Sequence, residues 1–191
     1  MHPDMTAVSA AFERRVGPGG ALSEDADRIL RTCQDMALRF RRGGKLIVFG
    51  NGGSATDAQH VAVEFAHPVI VGKRAFPAVS LTNDVALVTG IAGTEGLDDV
   101  FAGQLRLLAS PDDIAMGFGD CPNVLRGLDT ARELGLLTVA LVGGHEAPLA
   151  VDHQLVVRSR DPLVVKEVHM TIYHLLWELA HVFYEQPEAA R

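Results

Sequence analysis

The sequence predicts an α/β protein, a doubly wound three-layer sandwich around a mainly parallel five-stranded sheet, with extra helices at the N-terminus. Three observations carry this. Short apolar runs of the kind that form strands buried on both faces occur at 46–49, 76–81, 113–118, 136–142 and 154–157. Segments of helical periodicity separate them, which is the pattern of βαβ units. Right-handed crossovers then wind the sheet in both directions. The 191 residues are read as a single domain, with 1–43 as a helical extension and 44–191 as the core.

Each element has a local reason. A short helix is expected near the N-terminus, broken at Gly17-Pro18-Gly19-Gly20. A second helix spans 22–40, with Ala26, Ile29, Leu30, Cys33, Ala37 and Phe40 on one stripe. Ser23 is placed to cap it, and Gly43-Gly44 to stop it. The first strand runs into a glycine turn and a helix ending near His67-Pro68. After the second strand, Thr82-Asn83-Asp84 caps a helix to about Ile91, and an amphipathic helix covers 98–108. Pro122 suits the first turn of a helix over 122–134. A long apolar helix over 161–184 closes the chain, and the last residues are expected to fray.

The stretch from Lys45 to Glu64 organises the rest. Its strand stops at Gly50, and Asn51, Gly52, Gly53 and Ser54 form a turn into a helix that bears His60 and Glu64. Glycines admit a ligand to the backbone, and a helix N-terminus favours negative charge. The four-residue spacing puts His60 and Glu64 on one helix face, as an acid/base pair or a metal pair. The alternative is an ordinary tight turn and a simple helix-face pair. The turn matches neither the dinucleotide fingerprint nor the P-loop, so no nucleotide cofactor is expected. In a parallel sheet the polar loops 51–54, 83–84 and 119–123 emerge at one rim, where such sheets bind ligands.

Composition narrows the function. The formal net charge is −7, and beyond Arg39, Arg41 and Arg42 no basic run exists, which argues against nucleic acid. No apolar run approaches the ~18 residues of a membrane span. Two distant cysteines, Cys33 and Cys121, fit a reducing cytoplasm.

With these residues in view, the chain resembles the sugar isomerase (SIS) domain family, and within it the phosphoheptose isomerases. Gly50 to Ser54, Asp57-Ala58, His60 and Glu64 match the first motif; Leu81-Thr82 and Asp84 match the second loop; Glu167, His169 and His174 match the closing helix. The resemblance implies a flavodoxin-like fold and a homotetramer with sites at subunit contacts. It implies conversion of sedoheptulose 7-phosphate to an aldoheptose phosphate, with Glu64 as general base and His174 as general acid. It further implies zinc on His60, Glu64 and His174 plus a glutamine, and a substrate site at Asn51, Gly52, Gly53, Ser54 and Asp84.

Two departures stand out. The family's second phosphate loop is rich in hydroxyls, whereas here 117–123 is shortened, has none and carries Asp120. Asp120 either repels phosphate, accepts sugar hydroxyls or caps the next helix. The glutamine falls at Lys166, which is either solvated or paired with Glu64 in the metal's place. Asp84 is a helix cap or a hydroxyl contact, and Gln104 a surface or interface residue. The departures leave a second reading open, a non-catalytic module that binds a sugar phosphate or a protein partner.

Overall fold

The computed structural model describes residues 5–144 and 147–186. Five strands form one sheet: β1 (Leu46–Gly50), β2 (Ala78–Ser80), β3 (Ile114–Phe118), β4 (Leu137–Gly143) and β5 (His153–Val157). Their order is β2-β1-β3-β4-β5, and every pairing is parallel, with Gly50 beside Phe118 at the top of the β1–β3 register. Seven α-helices accompany them: α1 (Met5–Gly20), α2 (Ala26–Arg41), α3 (Gly53–Ala66), α4 (Val85–Thr94), α5 (Val100–Leu108), α6 (Pro122–Glu133) and α7 (Pro162–Glu185).

Strand alternation divides the core into two layers. Leu46, Val48, Met116 and Phe118 meet Cys33 and Phe40 of α2, Phe65 of α3 and Leu176 of α7. On the opposite face, Ile47 and Phe49 meet Phe101 of α5 and Leu128 of α6. Phe49 and Phe118 are at most 1% exposed, each worth about 2–3 kcal/mol on burial. Helices on both faces cover the sheet, so its strands read as continuous apolar runs. Cys33 is a core residue as expected, and burial pushes its thiol up to about 12.

Several boundaries differ from the sequence reading. α1 continues through Gly17, Pro18 and Gly19 to Gly20. It lies on the surface with no buried residue, so the missing proline N–H leaves no buried carbonyl unmet. Arg14 and Arg15 tie it to α7 through Asp161 at 3.4 Å and Glu167 at 2.7 Å. The break follows it, as a 3-10 turn over Ala21–Asp25, and Ser23 bonds back to the Gly20 carbonyl instead of capping α2. The stripe on α2 is rotated: Ala26 and Leu30 are exposed, and Thr32 and Met36 are buried. Gly43 stops α2 at φ +88, with Gly44 N–H donating to Arg39. The second strand shrinks to Ala78–Ser80, and a 3-10 turn at Leu97–Asp99 precedes α5. The frayed end expected for the last residues falls at 187–191, outside the described residues.

The strand order reverses direction between β1 and β3, and ligands in such sheets bind at that point. The turns 51–52 and 119–121 flank it.

Candidate active site

The glycine turn is built by steric demand. Gly52 sits at φ +54, a region that L side chains avoid. A Cβ on Gly50 would lie 2.9 Å from the Ser54 Cβ and 3.0 Å from that of Phe118, so glycine lets α3 start directly against the strand ends. Ser54 and Ala55 N–H groups turn back to the Asn51 and Gly52 carbonyls. The Gly52 and Gly53 amides keep no backbone partner among the described residues. Across the switch point, Asn51 and Asn123 exchange two side-chain amide bonds of 2.7 and 3.0 Å. This spends much of the Asn51 side chain on its neighbour.

α3 and α7 pack side by side and bring the expected catalytic residues together within one chain. The ligating atoms of His60, Glu64 and His174 all lie within 4.8 Å of one another. His60 Nε2 is 3.1 Å from Glu64 Oε1, and its Nδ1 is 2.8 Å from the Tyr173 hydroxyl. An ionised carboxylate only accepts, so Nε2 carries the proton toward Glu64, and Nδ1 accepts from Tyr173. Tyr173 is 1% exposed, and burial, then the charges of Asp57 and Glu64, push its hydroxyl pKa up. The His60 and His174 rings meet edge-on at 5.6 Å, and Trp177 Nε1 donates to the Glu64 carbonyl at 2.9 Å. His60, Glu64 and Tyr173 thus have fixed orientations, whereas His174 faces solvent.

One turn nearer the sheet edge lies a cavity of about 490 Å³, lined among others by Asn51, Ser54, Arg160 and His169. Gly53, Asp57 and Lys166 line it too. The Lys166 ammonium is held by the Asp57 carboxylate at 2.6 Å, the Gly53 carbonyl at 2.8 Å and the Thr56 hydroxyl at 3.2 Å. Its partner is therefore Asp57, not Glu64. The lysine is one helical turn from His169 and ties the first turn of α7 to that of α3. His169 is 3% exposed, and burial lowers its pKa to about 4 against the opposing pull of the Val142 carbonyl.

The remaining candidates stand apart. Asp84 is exposed and caps α4, accepting from Leu87 N–H at 2.9 Å. Asp120 is exposed beside Gly119, and the N-cap of α6 is the next residue, Cys121, whose own side chain makes no cap bond. Gln104 is not a surface residue: it is 2% exposed, and its amide donates to Leu81 and Val100 carbonyls at 3.1 and 2.8 Å. Sequence reasoning gave no role to Tyr173, Asn123 or Arg160. Asp57 was legible in principle, since it precedes His60 by three residues and Glu64 by seven on one helix face.

His60, Glu64 and His174 offer two imidazoles and a carboxylate, donors that zinc accepts, and the cluster fits that ion.

Comparisons with known proteins bear on the family and the fold. A domain model described as "SIS domain" matches residues 20–143. A phosphoheptose isomerase of Solidesulfovibrio magneticus is 41% identical over 85% of this chain and 82% of its own. One from Nitratidesulfovibrio vulgaris is 39% identical over 84% of this chain and 79% of its own. Among solved structures, phosphoheptose isomerase GmhA from Neisseria gonorrhoeae superposes with a TM-score of 0.83 at 27% identity, over 92% of this chain and 97% of that one. The Francisella tularensis phosphoheptose isomerase gives 0.83 at 28%, over 93% and 98%. The matched span holds the glycine turn, His60 and Glu64, and the superposition extends the likeness to the closing helix: the chain belongs to the SIS domain family and, within it, to the phosphoheptose isomerase group.

Proposed function

We propose that this protein is an aldose–ketose isomerase acting on a sugar phosphate of the sedoheptulose 7-phosphate type. The observation that carries the reading is the His60, Glu64 and His174 cluster, assembled within 4.8 Å beside a glycine turn at the switch point. The likeness to phosphoheptose isomerases supports the substrate class.

In this reading the amides of Gly52 and Gly53, with Ser54, meet the phosphate at the positive end of α3. The Glu64 carboxylate removes a proton from C1 of the ketose while His174 protonates the carbonyl oxygen on C2, giving the enediol. Glu64 then returns a proton to C2, and His174 takes the one on the C1 oxygen, leaving an aldehyde and both side chains as they began. Tyr173 holds the His60 ring so that Nε2–H aligns Glu64. Zinc, when bound by His60, Glu64 and His174, supplies a Lewis acid beside the carbonyl. Asp84 and Asp120 are proposed to meet sugar hydroxyls from the neighbouring loops. A homotetramer in a reducing cytoplasm is part of the same proposal.

Sedoheptulose 7-phosphate should be turned over by the wild-type chain, with or without added zinc. Glu64→Gln keeps the shape and removes the base; kcat should fall about 10²- to 10⁴-fold. Absence of turnover of any heptose or pentose phosphate by the wild-type chain would instead favour a binding module. The hydroxyl-free loop 117–123 and the engaged Lys166 favour that second reading.

A further inference from the structure

The cavity between the first turns of α3 and α7 contains charge and hydrogen-bonding capacity that the chemistry above does not use. Arg160 lines it from the segment entering α7. The neighbouring cations are committed: Lys166 to Asp57, Arg158 to Glu24 and Asp25, and Arg14 to Asp161. Arg160 makes no ion pair among the described residues. Its stem packs over Gly144, where a Cβ would lie 2.7 Å from the Arg160 Cγ and where φ is +60. Next to it, a Cβ on Gly143 would lie 2.6 Å from Val165. Gly143, the last residue of β4, and Gly144 after it therefore let the α7 entry segment lie flat on the strand end, with Arg160 in the cavity wall.

The cavity wall also includes a residue with an unmet ring nitrogen. His169 lines it and is 3% exposed. The Val142 backbone favours a proton on this ring, and Nε2 is a buried side-chain atom with no hydrogen-bond partner among the described residues. In the neutral ring with its proton on Nδ1, Nε2 offers a bare lone pair. A buried acceptor left unmet is costly, and a ligand hydroxyl that reaches it from the cavity satisfies it. Two long helices, α3 and α7, start at the same cavity and add their positive ends. The Asp57 carboxylate in the wall is neutralised by Lys166 at 2.6 Å.

We infer that Arg160 supplies the phosphate grip that the hydroxyl-free loop lacks, and that His169 Nε2 accepts a hydrogen bond from a hydroxyl of the same sugar phosphate. Both residues determine specificity, for a phosphate monoester and for a polyol respectively. A guanidinium suits this role because it binds phosphate oxygens through two parallel N–H bonds. The inference rests on the sugar-phosphate reading for its ligand, but its first test does not use turnover.

Inorganic phosphate is titrated calorimetrically against the full-length wild-type chain and against Arg160→Gln, Arg160→Lys and Arg132→Gln. Arg132 lies on α6 paired with Asp129 and controls for general loss of charge. Arg160→Gln should weaken phosphate about tenfold or more, Arg160→Lys should recover part of that loss, and Arg132→Gln should stay within twofold of wild type. His169→Phe should leave inorganic phosphate unchanged and weaken sedoheptulose 7-phosphate by about tenfold. The inference fails if wild type binds no phosphate, if Arg160→Gln binds it as wild type does, or if Arg132→Gln loses as much. The polyol half fails if His169→Phe binds the sugar phosphate normally. A wild-type chain that binds phosphate through Arg160 and isomerises nothing would refute the proposed reaction and leave this site standing.

Discussion

His169 shows how one residue can be fixed by its helix and still set a property of the whole. Its folded pKa of about 4 lies below the ordinary 6.5. Between those values the unfolded chain binds more protons than the folded one. The stability that comes with the neutral ring is complete above pH 6.5 and is lost as pH falls through 4. The two and a half units correspond to roughly 3 kcal/mol at 1.36 kcal/mol each. Urea midpoints measured from pH 7 down to pH 4 should fall for the wild type and fall less for His169→Phe; equal slopes would refute the assignment. Of the residue-level chemistry, His60 and Glu64 were legible because a four-residue spacing on a helix fixes geometry by itself. Lys166 was not. Its position in sequence suggested Glu64, and only packing decides that α7 offers it to Asp57 one helical turn nearer the sheet.

At the scale of elements, the strand–turn–helix unit at the switch point depends on two glycines with different duties. Gly50 gives room for Ser54, and Gly52 supplies the positive φ. No atom within 4 Å would crowd a Cβ on Gly52, so the effect of Gly52→Ala is strain in the backbone alone. It should lower stability by about 1–2 kcal/mol. A larger loss in phosphate binding than in stability would follow, since the turn places the amides. Chemical denaturation and phosphate titration of the same variant separate the two. The order of strands and helices was readable, because apolar runs and helical periods alternate cleanly. The end of α1 and the start of α2 were not, although Gly43 does stop α2: glycine and proline signalled a break that an exposed helix tolerates. Gln104 was misplaced for a similar reason, as the periodicity of α5 does not reveal that the Leu81 carbonyl waits opposite.

For the whole molecule, the surface carries a further message. Met5, Val8, Phe12 and Val16 of α1 are 62%, 43%, 70% and 72% exposed, at spacings that align them along the helix. Apolar side chains repeated this way suit a helix covered by another copy of the chain. If the proposed tetramer forms, light scattering should show it, and Phe12→Glu should shift the population toward smaller species without altering the monomer's far-ultraviolet dichroism. The winding of the sheet was legible in outline from right-handed crossovers, whereas the order β2-β1-β3-β4-β5 comes from the observed pairings. Arg160 was beyond reach, because its position depends on how the end of β4 receives the entry to α7.

The Lys166–Asp57 contact constrains how this chain can change by descent. The Asp57 side chain is 5% exposed and draws its only ion-pair partner among the described residues from α7. Replacing the lysine by glutamine, the residue type that the resemblance places among zinc's ligands, would strand that carboxylate without a counter-charge. Exchange at 166 alone therefore removes the charge that neutralises Asp57, and Lys166→Gln should unfold at lower denaturant than the wild type.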